Sequence, residues 1–278
     1  PNLSPAQGYS NESDYQFLVG DWNGDGFTDL ARVGLSGIAI YTKNYYESQG
    51  LTQIEDGLGA VTKIKYSLLT DPSVYTRGAE EPLGSVRLVT SVDTVNDLGS
   101  YNRTSYRYYG LKVDESGRSN SGFDRIVATD ERSGISTTTW FSQISPFKGR
   151  AFKSEKISPS GKTLWRRTHT FSSKARSYNG YFIYIASTAE ESYELDGSLI
   201  DRKVSNFAYD EYGSPTSIQI IHSDQNSETT IHSYDNFTPT WILGRLRSTT
   251  VTKQSPGQIS QTRKASFVYD DRTGLLTE

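Results

Sequence analysis

Apolar and polar residues alternate with a period of two over much of this chain, and glycine-containing breaks interrupt the alternation at short intervals. That rhythm predicts β-strands joined by tight turns. The turn Asp56-Gly-Leu-Gly-Ala60 releases a run from Val61 to Tyr66, in which Val61, Lys63 and Lys65 alternate with Thr62, Ile64 and Tyr66. Val86 to Val95 and Tyr101 to Tyr109 read as a strand pair joined across residues 96–99, and Phe123 to Asp130 and Ile135 to Gln143 as another around Glu131-Arg-Ser-Gly134. Further runs cover Thr163 to Phe171, Ser198 to Tyr209 and Gln258 to Tyr269. Ser160-Gly161, Asp196-Gly197, Tyr212-Gly213 and Pro256-Gly257 mark tight reversals between them. Two stretches do not fit. Residues 70–84 carry Pro72 and Pro82, which argue for a long loop or sheet edge, and residues 112–122 are rich in Gly, Ser and Asn. The expected fold is all-β, made of antiparallel strand-turn-strand units.

One segment has a different character. From Asp21 to Asp29 the chain reads Asp-Trp-Asn-Gly-Asp-Gly-Phe-Thr-Asp, with oxygen-bearing side chains at alternate positions and glycines between them. Calcium takes six to eight oxygens at about 2.3 to 2.6 Å, and this spacing wraps one ion. Asp21, Asn23, Asp25 and Asp29 are the expected side-chain ligands of a structural Ca2+ and Phe27 the carbonyl ligand. Gly26 stands where such loops turn sharply. An EF-hand also needs a bidentate Glu at the twelfth position, which here is Arg32. The flanks, Tyr15-Gln-Phe-Leu-Val-Gly and Leu30-Ala-Arg-Val-Gly, are apolar and β-prone, so the ion would clip two strands. Loop and flanks, roughly residues 15 to 41, resemble an FG-GAP or VCBS-type repeat, the calcium-clipped strand pair of a β-propeller blade. A metal-free Asx-rich turn is the other reading of the same residues.

The last third contains a weak internal repeat. Asn206-Phe-Ala-Tyr-Asp210-Glu-Tyr-Gly213, Ile231-His-Ser-Tyr-Asp235 and Ser266-Phe-Val-Tyr-Asp270-Asp-Arg-Thr-Gly274 share an alternating strand, then Tyr-Asp, then in two cases a nearby Gly. Tyr packs the strand face, Asp accepts backbone donors as the chain leaves the strand, and Gly takes the left-handed position. With Gly244-Arg-Leu246, these units resemble the YD repeats of the RHS family. Asp56 to Tyr66, Tyr106-Arg-Tyr-Tyr-Gly110, Gly117-Arg118 and Gly122-Phe123 are similar to the middle region of B components of tripartite insecticidal toxin complexes. Residues inserted after Asp235 and Leu275 in place of the usual Arg depart from the repeat.

That resemblance implies an organisation and a role. Residues 1–50 would be the last blade of a propeller, and residues 51–278 part of a β-strand shell that encloses a C-terminal toxic polypeptide and docks to a translocation-pore protein. The product would be secreted, a virulence factor and structural, with no enzymatic activity. An extracellular calcium-dependent binding module or adhesin, recognising protein or glycan, is the alternative. A polysaccharide-acting enzyme is a third reading. The chain starts at Pro1, contains no Met and ends after Gly274-Leu-Leu-Thr-Glu278, which reads as a fragment of a longer protein.

Composition narrows the choice. Nineteen Tyr, 24 Gly and a mean hydropathy of −0.59 across 278 residues suit many strands with wet faces. A formal net charge of −3 supplies no basic field for nucleic acid. The zero Cys count removes disulfides, thiol catalysis and zinc-thiolate sites. No apolar run approaches the roughly 20 residues that span a bilayer. His169, His222 and His232 have no partner at metal-ligand spacing and read as structural or solvent-facing, and no serine elbow, phosphate loop or dinucleotide fingerprint is present. Trp140, Phe141, Trp165 and Trp241 could form a sugar-binding platform, but aromatic residues on strands more often pack across strands.

Overall fold

The computed structural model describes residues 15–20, 22, 29–34, 37–42, 50–78, 86–95, 101–113, 120–176, 180–270 and 273–277. They are all-β, with no α-helix among them and a 3-10 turn at Thr238–Thr240. The chain divides into two compact units, residues 1–113 with 128–132, and residues 114–127 with 133–278.

In the first unit, β1 (Gln16–Gly20), β2 (Asp29–Gly34) and β3 (Gly37–Tyr41) form an antiparallel sheet in that order. Next come β4 (Gln53–Glu55), β5 (Val61–Leu68), β6 (Tyr75–Thr76), β7 (Arg87–Val95), β8 (Tyr101–Tyr109) and β9 (Lys112–Val113). Strands β4, β5, β7 and β8 pair antiparallel in that order, while β6 runs parallel to β8 through Tyr75↔Tyr108 and Thr76↔Tyr109. The segment 70–84, expected as a long loop or edge, contributes a two-residue strand that pairs with β8 alone among the described residues. Asp71 makes this possible: its carboxylate accepts the Ser73 amide at 2.9 Å and its carbonyl accepts the amides of Val74 and Tyr75, so a tight turn absorbs Pro72. Leu69, Val74, Tyr75, Leu88 and Leu111 are buried as a result, and the Leu111 amide donates to the Tyr75 hydroxyl at 3.0 Å. Burial also raises the pKa of Tyr108 to about 12, and its hydroxyl donates to the Val89 carbonyl at 2.9 Å.

The remaining strands are β10 (Asn120–Gly122), β11 (Arg125–Asp130), β12 (Ser136–Phe141), β13 (Ala151–Ile157), β14 (Thr163–Ala175), β15 (Tyr181–Tyr193), β16 (Leu199–Tyr209), β17 (Pro215–His222), β18 (Ser227–Phe237), β19 (Ile242–Gln254) and β20 (Gln261–Ser266). From β12 to β20 each strand pairs antiparallel with the next. The expected reversals hold, with φ of 81° at Gly161, 95° at Gly197, 97° at Gly213 and 70° at Gly257. Strand β13 was not marked by the sequence pattern, and β19 only at Gly244-Arg-Leu246. Of β15 only the apolar start, Tyr181 to Ala186, stood out.

Burial differs sharply between the units. Every fully buried hydrophobic residue among the described ones lies in the first unit; in the second, the buried residues are polar: Ser121, Thr138, Glu155, Ser205 and Arg245. Strand β15 shows why, since twelve consecutive residues from Phe182 to Tyr193 are all partly exposed, whichever face they occupy. Two packed layers are the usual way a sheet buries its apolar face. Among the described residues, strands β12 to β20 have no such second layer of their own.

Candidate functional site

Among the five expected calcium ligands, Asp29 is described, whereas Asp21, Asn23, Asp25 and Phe27 lie outside the described residues. The flanks are strands, and they pair with Gly20 opposite Asp29, so residues 21–28 join the ends of one antiparallel hairpin. Asp29 opens β2 with 2% of its surface exposed, and its carboxylate accepts the Trp22 amide at 3.0 Å. A buried carboxylate needs donors or a cation around it. The oxygen-only donor set of Asp21, Asn23, Asp25, Phe27 and Asp29 suits a hard cation such as Ca2+ rather than a thiophilic metal. Among the described residues no group of three or more His, Cys, Asp or Glu is placed to hold a metal.

The second unit carries a charged belt that sequence spacing does not reveal, because it depends on strand register. Register places Glu155, Arg166, Glu191 and Arg202 opposite one another across β13 to β16. Arg166 donates through Nε to Glu155 at 2.5 Å and through Nη1 to Glu191 at 3.2 Å, and Arg202 closes on Glu191 at 3.3 Å. One residue along each strand, therefore on the other face, Glu190 bridges Arg167 and Lys203. Burial opposes ionisation of Glu155, yet hydrogen bonds from Lys153 and Arg166 hold its pKa below the ordinary value. The Lys203 hydrogen bond does the same for Glu190. Both faces at this level are thus occupied by neutralised charge.

The Tyr-Asp units differ in their local chemistry. Asp210 accepts the amides of Tyr212 and Ser214 at 2.9 and 2.8 Å, and Asp270 accepts the Thr273 amide at 2.6 Å; a left-handed glycine follows in each case. Asp235 does neither. Its carboxylate takes Arg245 Nη2 at 2.7 Å, and the inserted residues after it close in the 3-10 turn, with Trp241 left-handed at φ 57°.

The histidines have structural surroundings. His169 Nδ1 lies 2.8 Å from Thr188 Oγ1, His222 Nδ1 lies 3.1 Å from Asp201, and His232 packs 6.0 Å from the Tyr234 ring. Among the tryptophans, Lys153 covers Trp140 and Arg167 covers Trp165, while Trp241 is 72% exposed. The aromatic residues of β12 to β14 therefore form cross-strand and cation-π pairs rather than one continuous platform.

Residues 5–149 match the family described as the insecticide toxin TcdB middle/N-terminal region, which is more than half of the chain. The chain belongs to this family. No curated protein matches. Among solved structures, the TcdB-family chain is similar to one in the Photorhabdus luminescens Tc holotoxin pore carrying TccC3-D651A, at 11% identity and TM-score 0.69, over 92% of this chain and 18% of that one. TcdB2-TccC3 without its hypervariable C-terminal region gives 11% identity and TM-score 0.68 over 98% and 19%, and TcdB2-TccC3-Cdc42 gives 11% and 0.69 over 95% and 19%. At this identity the likeness is one of fold, and the chain spans less than a fifth of the length of these relatives.

Proposed function

We propose that this TcdB-family chain is a segment of the β-strand wall of a secreted insecticidal toxin-complex subunit, in which the wall encloses a C-terminal toxic polypeptide supplied by a TccC-like component. Its role is structural and not enzymatic. The observation that carries this reading is the burial of the second unit: long strands in an unbroken antiparallel succession, with no fully buried hydrophobic residue among those described. Such a sheet is incomplete as an isolated domain, but it suits a wall that meets solvent outside and a hydrated cargo inside. The charged belt on both faces supports the same role, since paired charges can face water on either side without attracting a single ligand. Succession of strands without crossovers also lets a wall extend by adding neighbours at β20, which removes a free edge.

Residues 21–29 belong to this proposal as a Ca2+ clip between β1 and β2, in the manner of an FG-GAP or VCBS-type propeller blade that docks to a translocation pore. Asp29, buried at the start of β2, is the ligand with a described position. The three Tyr-Asp units are proposed as RHS-type repeats of the wall.

A chain without cysteine makes the wall directly testable. Ser248 and Thr249 are adjacent on β19 and so point to opposite faces. Single Ser248→Cys and Thr249→Cys variants, placed in the assembled subunit and treated with a polymer-bearing maleimide too large to enter the shell, should differ: one is labelled and the other protected until denaturation. Equal labelling of both in the assembled subunit overturns the enclosure.

A further inference from the structure

The second unit contains a cavity of about 510 Å3 that neither the wall role nor the charged belt uses. It lies where the 142–150 connection returns over β12, β13 and β14, and its walls include Phe141, Phe147, Phe152 and Phe171. Local hydrogen bonds hold the connection in place: the Ser142 amide donates to the Arg150 carbonyl at 2.9 Å and the Gly149 amide to the Ser142 carbonyl at 2.8 Å. Gln143 Nε2 reaches back to the Gly122 carbonyl at 2.7 Å. Phe147 is thereby stacked on Phe171 with ring centroids 6.2 Å apart, and His169 tilts against the same ring at 6.0 Å.

Ser142, Gln143 and Thr170 are neutral polar residues of the lining, and Asp124 and His169 are its ionisable ones. Asp124 lines it and is exposed, with its main-chain carbonyl fixed by the Phe141 amide at 2.8 Å; among the described residues no cation pairs with its carboxylate. His169 commits Nδ1 to Thr188, and burial together with the neighbouring Arg167 lowers its pKa, which disfavours its charged form. Among the described residues no Lys or Arg lines the cavity. Aromatic faces and a free carboxylate attract a cation, while phenylalanine walls bury an apolar body. The volume lies within the range typical of small-molecule sites.

We propose that this cavity binds a small arylalkyl ammonium ligand, its ring against Phe147 and Phe171 and its ammonium group toward Asp124. The test is calorimetric titration of the chain with phenethylamine at pH 7, and with 2-phenylethanol, which keeps the ring and loses the charge. Phenethylamine should bind saturably, and about tenfold more tightly than the alcohol, the ratio expected for one modest charge interaction. Asp124→Asn, an exposed substitution that leaves the fold intact, should erase that preference while retaining the weak binding of the alcohol. Phe171→Leu should weaken both ligands, and shifts of the His169 ring resonances on titration should locate them in the cavity. Absence of saturable binding, equal affinity for amine and alcohol, or an unchanged preference in Asp124→Asn overturns the proposal.

Discussion

At the scale of single residues, charge burial in this protein is decided by how many donors converge on each carboxylate. Asp93 on β7 is 3% exposed, and Arg103 on β8 meets it with two hydrogen bonds, Nε to Oδ1 at 2.7 Å and Nη2 to Oδ2 at 3.0 Å. The guanidinium beside it lowers the Asp93 pKa from 3.8 to about 2. A carboxylate depressed in the folded state contributes stability above its unfolded pKa and loses it as pH falls through the folded one. Asp93 should therefore stabilise the fold above about pH 4 and lose that contribution between pH 4 and pH 2. The shift corresponds to at most about 2.5 kcal/mol, and solvent access to Arg103 reduces the expected effect to about 1 kcal/mol. Thermal melts across pH 2 to 7 should show Asp93→Asn destabilised at pH 7 and converging toward the wild type near pH 2; parallel curves would remove Asp93 as the titrating group. Asp29 poses the same problem of a buried carboxylate at a strand start, with a cation as the proposed solution. If residues 21–29 bind Ca2+ in the folded state alone, chelation lowers Tm, and Asp25→Ala abolishes the difference between chelated and calcium-loaded protein. An identical melt with and without chelator, in the wild type, would exclude the clip.

At the scale of elements, turns and the neighbouring strands they join, such as β7 and β8, were legible in the sequence, and exact register and distant partners were not. A turn is local: Asp210 and Gly213 sit three residues apart, and the geometry they impose needs nothing distant. The belt through Glu155, Arg166, Glu191 and Arg202 spans 47 positions and exists only once bulges at Lys156/Ile157, Thr170/Phe171 and Ser192/Tyr193 have set the register. The same limit explains Tyr75, whose segment read as a long loop or edge because Pro72 and Pro82 punctuate its neighbourhood. It is buried because a parallel partner, Tyr108, lies 33 residues further along. Asp235 shows the reverse error of reading a local motif alone: it shares the Tyr-Asp dipeptide with Asp210 and Asp270 but spends its carboxylate on Arg245 across the hairpin. Glycine turns still differ in cost. Gly213 and Gly257 both hold a positive φ, 97° and 70°, yet a Cβ at Gly213 would meet the Phe182 ring at 3.1 Å, whereas nothing lies within 4 Å of one at Gly257. Phe182 is itself packed against Tyr184 and Tyr209 at 5.4 and 6.3 Å and has little room to retreat. Gly257→Ala should cost about 1 kcal/mol for its backbone alone, and Gly213→Ala about 2 kcal/mol or more. Chemical denaturation of the two variants gives the ranking, and equal losses would show that Phe182 yields freely.

At the scale of the whole molecule, the all-β class was legible because period-two alternation and spaced glycines are both short-range signals, but the distribution of the core was not. Alternation predicts an inner, apolar face and an outer one, and in the second unit no described apolar residue is fully buried on either face. Tyr, Thr, Ser and paired charges can occupy such positions at small cost, since each keeps its polar end hydrated while its carbon atoms cover the neighbouring strand. The consequence is thermodynamic. The heat-capacity change of unfolding follows the apolar area newly exposed, about 12 to 15 cal/mol/K per residue for ordinary globular domains. A chain in which fully buried hydrophobic residues are confined to Ala31, Leu69, Val74, Tyr75, Leu88 and Leu111 among those described exposes far less on unfolding. Calorimetry on the isolated chain should therefore give a heat-capacity change below about 9 cal/mol/K per residue, with an equally low denaturant m-value for its size. Measured at several protein concentrations, the low value should persist wherever the chain stays monomeric. If the monomer instead reaches the ordinary range, its strand faces are covered by its own residues, and the argument that this sheet needs the rest of a toxin subunit to complete it fails.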